Sequence, residues 1–124
     1  MSKSTRYTFL IHGIVSLVMG LPMLLIPGRF LPLFGWVEEG IDPLLSRILG
    51  AALLALAWTS YRGWRAPDWD KVKILVEGEV VFTILAMIGM LRHLIGFSWP
   101  FGVWFIFAII TIFAVAWIIA LRQK

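Results

Sequence analysis

A glutamate and a histidine, Glu79 and His12, stand inside stretches of sequence that are otherwise almost wholly apolar. In a low-dielectric setting a carboxyl, an imidazole and a nearby guanidinium perturb one another strongly. Such groupings handle protons or ions, or serve as acid and base on a bound molecule. His12 belongs to a polar-to-small stripe, Thr8, His12, Ser16 and Gly20, that recurs at helical spacing. Glu79 is followed on its own helical face by Thr83, Ala86, Met90 and His93. Glu77 falls about 200° around the helix from Glu79, so the two acids are not an adjacent pair. Lys73 stands one turn before Glu77, and the two can reach the membrane surface together. At a rise of ~1.5 Å per residue, Glu79 lies about 10 Å along its helix from Val72, and His12 about 6 Å from Thr8. Both therefore fall in the same half of the membrane, and Arg62 approaches that depth from a third helix. Glu79, His12, Arg62, Thr83 and Ser16 form the candidate intramembrane polar site. The plainer reading of the same residues is an interhelical clasp that fixes packing and nothing else.

These residues need elements that hold them in lipid. The chain of 124 residues is 60% hydrophobic with a mean hydropathy of +0.92, more apolar surface than a soluble domain of this size can bury. Four apolar runs, at about residues 8–27, 44–64, 72–94 and 100–121, approach the ~20 residues that cross hydrocarbon. Helices are required, because an open strand would leave backbone groups unpaired in lipid. The expected architecture is all-α, a single integral membrane domain over 1–124 built as a four-transmembrane-helix bundle. Residues 28–43 form the one long connection; with Phe30, Leu31, Leu33, Phe34 and Trp36 it is expected to lie in the interface. The apolar run of the first helix is too long for a cleaved leader and ends in Pro27-Gly-Arg-Phe30, with no small-residue cleavage pattern.

Charge sets the orientation. Of eleven Lys and Arg, eight (Lys3, Arg6, Arg62, Arg65, Lys71, Lys73, Arg122 and Lys124) flank one side and three (Arg29, Arg47 and Arg92) the other. The positive-inside rule places both termini in the cytoplasm. Arg47 can pair with Glu38, Glu39 or Asp42 on the far side. Tyr7, Tyr61, Trp64, Trp69 and Trp117 mark the inner interface, and Trp36, Trp99 and Trp104 the outer.

Small residues in pairs one turn apart mark where helices meet: Ser16 with Gly20, Ser46 with Gly50, Ala51 with Ala55, and Ala116 with Ala120. Gly20, Gly50, Ala51 and Ala55 are the expected packing positions. Helix four, with Trp104, Phe105, Phe107, Phe113 and Trp117, is the most lipid-like. The absence of cysteine excludes disulfides and thiol-ligated metals. No nucleotide-binding loop, nucleophile elbow or zinc spacing occurs, so no cofactor, metal or catalytic residue is expected. The basic residues flank helices and form no nucleic-acid patch. The partners expected are the lipid bilayer and either other subunits of a membrane complex or further copies of this chain.

Pro27-Gly-Arg-Phe30, Leu33-Phe-Gly35 and the stretch Asp42 to Leu56, with its Arg47-Ile-Leu-Gly50-Ala51 unit opening helix two, resemble the small four-helix DoxX-like families and related integral membrane proteins. The resemblance implies the four-helix bundle and, through the respiratory oxidase subunit that gives the name, an accessory role in a membrane complex. Three functions are carried forward. The first is an accessory or assembly subunit. The second is a homo-oligomeric carrier or channel for protons, cations or a small lipophilic molecule, using Glu79 and His12. The third is a membrane enzyme acting on a lipid or quinone headgroup.

Overall fold

The computed structural model describes residues 1–96 and 98–123, without the side chain of Glu38. Phe97 and Lys124 lie outside it, as does the expected pairing of Glu38 with Arg47. The chain forms α1 (Lys3–Leu25), a single turn α2 (Pro27–Phe30), α3 (Pro43–Arg65), α4 (Lys73–Gly96) and α5 (Phe101–Gln123). Four of these, α1, α3, α4 and α5, are long and apolar enough to span a membrane.

Capping chemistry, more than hydropathy, sets the ends. The Ser2 hydroxyl accepts a hydrogen bond from the Thr5 amide at 3.1 Å, so α1 begins five residues before the apolar run. It ends at Leu25, because Pro27 holds Ile26 out of the helical region. At α3, Asp42 accepts from the Leu45 amide at 3.1 Å and Pro43 occupies the first turn. Hydropathy marks where lipid begins, and a helix can run past that point into water.

Three packed seams build the bundle: α3 on α1, α1 on α5 and α5 on α4, while the backbones of α3 and α4 do not approach one another closely. The α1–α3 seam is the tightest. A Cβ on Gly50 would stand 2.5 Å from the Leu24 amide nitrogen and 2.9 Å from the Gly20 carbonyl oxygen. One on Gly20 would meet the Leu53 Cβ at 2.9 Å. Backbones touch here because no side chain intervenes. Ala51 and Ala55, small residues expected to pack either within the bundle or between subunits, lie outside this seam on an exposed face. One residue of offset turns a side chain about 100° around the helix, and the face carrying Gly50 leaves Ala51 outside.

The termini meet at one end, where the Ser2 hydroxyl donates to Gln123 Oε1 at 3.1 Å. Behind them Phe9, Val72, Val76, Phe113, Trp117 and Ala120 form the core cluster. Trp117 is fully buried and Phe113 nearly so, which corrects the assignment of Trp117 to the inner interface and of both rings to a lipid face. Their spacing places them on the α5 stripe with Ala120, toward α1.

At the opposite end the long connection is not simply interfacial. Leu31–Phe34 forms a 3-10 turn closed by Gly35 at φ 91°, a left-handed conformation that glycine adopts without strain. Gly102 leaves room for the Phe34 backbone to press against it, and Phe34 stacks on Phe105 with centroids 6.2 Å apart. Leu31 is buried, while Leu33 and Val37 face outward. One side of the segment packs down on the bundle and the other remains available to lipid.

Candidate intramembrane polar site

His12 sits at the centre of the four long helices. Its Nδ1 lies 2.7 Å from the Ser60 Oγ on α3, a hydrogen bond whose direction follows the imidazole tautomer. Its Nε2 lies 3.6 Å from Glu79 Oε2 on α4. That separation suits a charge contact but exceeds hydrogen-bonding length. From α5, Phe113 and Trp117 stand edge-on to the imidazole with centroids at 4.8 and 5.4 Å. Side chains from each of the other three long helices therefore meet the ring. His12 and Glu79 are each 6% exposed.

Two buried polar atoms at this centre, Glu79 Oε2 and Trp117 Nε1, have no hydrogen-bond partner among the described protein groups. Leaving a buried acceptor or donor unmade costs about 1–3 kcal/mol, and more for a charged group.

Thr83 is buried and its hydroxyl donates back to the Glu79 carbonyl at 2.7 Å. Ser16 is buried one turn along α1 from His12. Thr8, the first member of the expected stripe, instead bonds its own helix through the Ser4 carbonyl at 3.0 Å, and Thr5 takes the buried position. Arg62 does not join the site. It is exposed, with its guanidinium 6.0 Å from the centroid of the Trp58 ring. Ser60 and Arg62 are about 200° apart on α3, so the rotation that delivers Ser60 to His12 turns Arg62 outward. Depth alone brought Arg62 to the cluster in the sequence reading; azimuth removes it. Ser60 is the residue that reading missed, although it continues, with Gly63, the small-residue stripe of Ser46 and Gly50.

The peripheral charges are ordinary. Lys73 and Glu77 pair at 3.9 Å on an exposed face. Asp42 caps α3, and among the described residues no ion pair joins it to Arg47. No cluster of metal-ligating side chains occurs among the described residues.

A cavity of about 400 Å³ extends from His12 toward the end opposite the termini. Ser16 and Thr83 lie beside His12 at its inner end, and Ser46 and Asp42 at its outer end. Leu49, Leu53 and Leu56 of α3 and Ile106, Ile109 and Ile110 of α5 form apolar walls. Leu31, Trp36 and Ile41, from the packed-down connection, roof it. Its size lies within the ~300–1,000 Å³ of small-molecule sites, and apolar walls with a few placed polar groups are their usual composition.

No family model, curated protein or solved structure matches the chain. The assignment of a role therefore rests on this geometry.

Proposed function

We propose that this protein binds a small lipophilic molecule inside the bilayer, as a membrane carrier or lipophile-binding protein. The supporting observation is the 400 Å³ cavity with apolar walls, whose inner end is the only part furnished with buried polar side chains from both α1 and α4. Filling such a space with an apolar ligand of matching shape recovers the contacts that a void forfeits. His12 and Glu79 give the inner end its polarity, and Ser16 and Thr83 offer hydroxyls to a ligand. An accessory subunit of a larger complex, which small size and plain helices also suit, has no need of an internal cavity, so this observation favours binding. The DoxX-like layout is compatible with either role.

The orientation belongs to the same proposal. With eight basic residues at the end that carries the termini, that end is cytoplasmic and the cavity roof faces the outer leaflet.

Native mass spectrometry of protein extracted from its own membrane in mild detergent tests the reading. It expects a retained small mass on the wild type and its loss in Ile106→Trp, where the indole fills the cavity; Met19→Trp provides an independent plug. A wild type without bound mass, or plugs that retain it, contradicts the reading. Stable association with other polypeptides instead would return the accessory role to first place.

A further inference from the structure

Resting on the binding reading, the shape of the cavity narrows both the ligand and its route. On α3 the lining residues run from Ser46 to Leu56, which spans about 15 Å at the helical rise. A cavity of about 400 Å³ drawn out over that length is long and narrow. Its proportions suit an extended hydrocarbon chain.

Its chemistry limits the head of the ligand. Of its ionisable lining groups, His12 has both ring nitrogens directed to Ser60 and Glu79, and Asp42 caps α3 at the mouth. Among the described residues no Lys or Arg lines the space. A carboxylate or phosphate brought to the inner end would lose its hydration without a counter-charge, a cost that excludes it. A hydroxyl suits the place. Ser16 carries a hydroxyl there, and the Thr83 oxygen, which already donates to the Glu79 carbonyl, keeps lone pairs to accept with.

The route follows from what closes each side. The connection from Leu31 to Asp42 covers the outer end, and His12 and Phe113 close the inner end. The α1–α3, α1–α5 and α4–α5 seams are packed. Among the described residues the backbones of α3 and α4 do not approach closely, and two lining residues at matching depth flank this gap: Leu56, about one turn outward of Ser60 and half-buried, and Phe82, nearly one turn outward of Glu79 and exposed.

We infer that the cavity admits a single-chain amphiphile with an uncharged, hydrogen-bonding head, laterally from the bilayer through the gap between Leu56 on α3 and Phe82 on α4. The chain lies along the leucines of α3, and the head reaches Ser16 and Thr83.

The absence of native cysteine makes the test direct. Leu56→Cys and Phe82→Cys are introduced together and bridged with a reducible bis-methanethiosulfonate reagent in phosphatidylcholine vesicles. The probe is a long-chain alcohol with a mid-chain diazirine, and photolabelling of the lining residues is read by peptide mass. Uncross-linked protein is expected to label at Met19, Ile106 and Ile109. The bridge should slow labelling at least tenfold, and reduction should restore it. A monofunctional reagent on the single Leu56→Cys variant should leave the rate within twofold, and Phe82→Ala should raise it. Equal labelling with the bridge in place overturns the lateral route while leaving binding intact. Equal labelling by the matching carboxylate probe overturns the uncharged head. Labelling absent from the cavity, and unchanged in Ile106→Trp, overturns the route and the binding reading together.

Discussion

The two faces of α3 are built on opposite rules. Toward α1 it presents Ser46, Gly50, Ser60 and Gly63, and backbone meets backbone or, at Gly63, the Phe9 ring. Toward the cavity it presents Leu49 and Leu56, larger residues that nonetheless leave space unfilled, with Leu53 at the margin between the two faces, where its Cβ also approaches Gly20. Within a membrane, leucine gains little by leaving lipid for a neighbouring leucine, so apolar bulk does not draw helices together. Small residues do, because they let the backbones come within dispersion range. The same helix thus carries a seam that is closed by what it lacks and a slot that is kept open by what it has.

That contrast is broken most severely at Gly50. Gly50→Leu is expected to prevent bundle formation, since a side chain there meets the Leu24 backbone, which cannot yield. Even Gly50→Ala should cost about 1–3 kcal/mol. Unfolding in micelles, followed by loss of helical signal, measures both. A wild-type stability for Gly50→Leu would mean that the α1–α3 seam is looser than described.

Next in size is the polar centre. Replacing Glu79 by Leu leaves His12 Nε2 facing an apolar wall, and replacing His12 by Leu leaves the Glu79 carboxyl and Ser60 without it. Each single change should destabilise by about 1–3 kcal/mol. The double-mutant cycle should return a coupling of roughly 0.6–1.7 kcal/mol, the range for polar contacts between membrane helices. Zero coupling would show that the 3.6 Å approach carries no interaction energy.

On the open side the effects are smaller in stability and larger in binding. Ile106→Trp should change stability by less than about 1.5 kcal/mol, because it fills space already present, while abolishing capture of the diazirine alcohol. A loss of stability as large as that of Gly50→Ala would indicate a packed interior at that position. Smallest of all, Ala51→Leu, Ala55→Leu and Arg62→Leu lie on exposed faces and should shift stability by no more than about 0.5 kcal/mol.

The differences in legibility follow the same physics. Glu79 and His12 were readable because an ionisable residue in an apolar run is costly and therefore conspicuous. Their common depth was readable because rise per residue is fixed. Azimuth was not, since it depends on which face each helix turns inward. That is why Arg62 was drawn into the site and Ser60 overlooked two residues away. Trp117 was misplaced for a related reason: tryptophan near a helix end usually marks an interface, and only packing against Phe9 and His12 reveals it as core. Gly20 and Gly50 stood out as small residues one turn from Ser16 and Ser46. Ala51 and Ala55 matched the same spacing on an exposed face. The cavity could not have been read at all. It is bounded by leucines and isoleucines that look like any lipid-facing residues, and only their arrangement around empty space distinguishes them.

The central claim, that α3 and α4 stand apart around a narrow slot ending at His12, is most directly tested by a crystal structure grown in a lipidic mesophase. The account predicts elongated density lying along Leu49 and Leu56, running inward past Ile106 to end beside Phe82 against Ser16 and Thr83. A structure in which Leu49, Leu53 and Leu56 pack directly on α4, with no space beside His12, would contradict it.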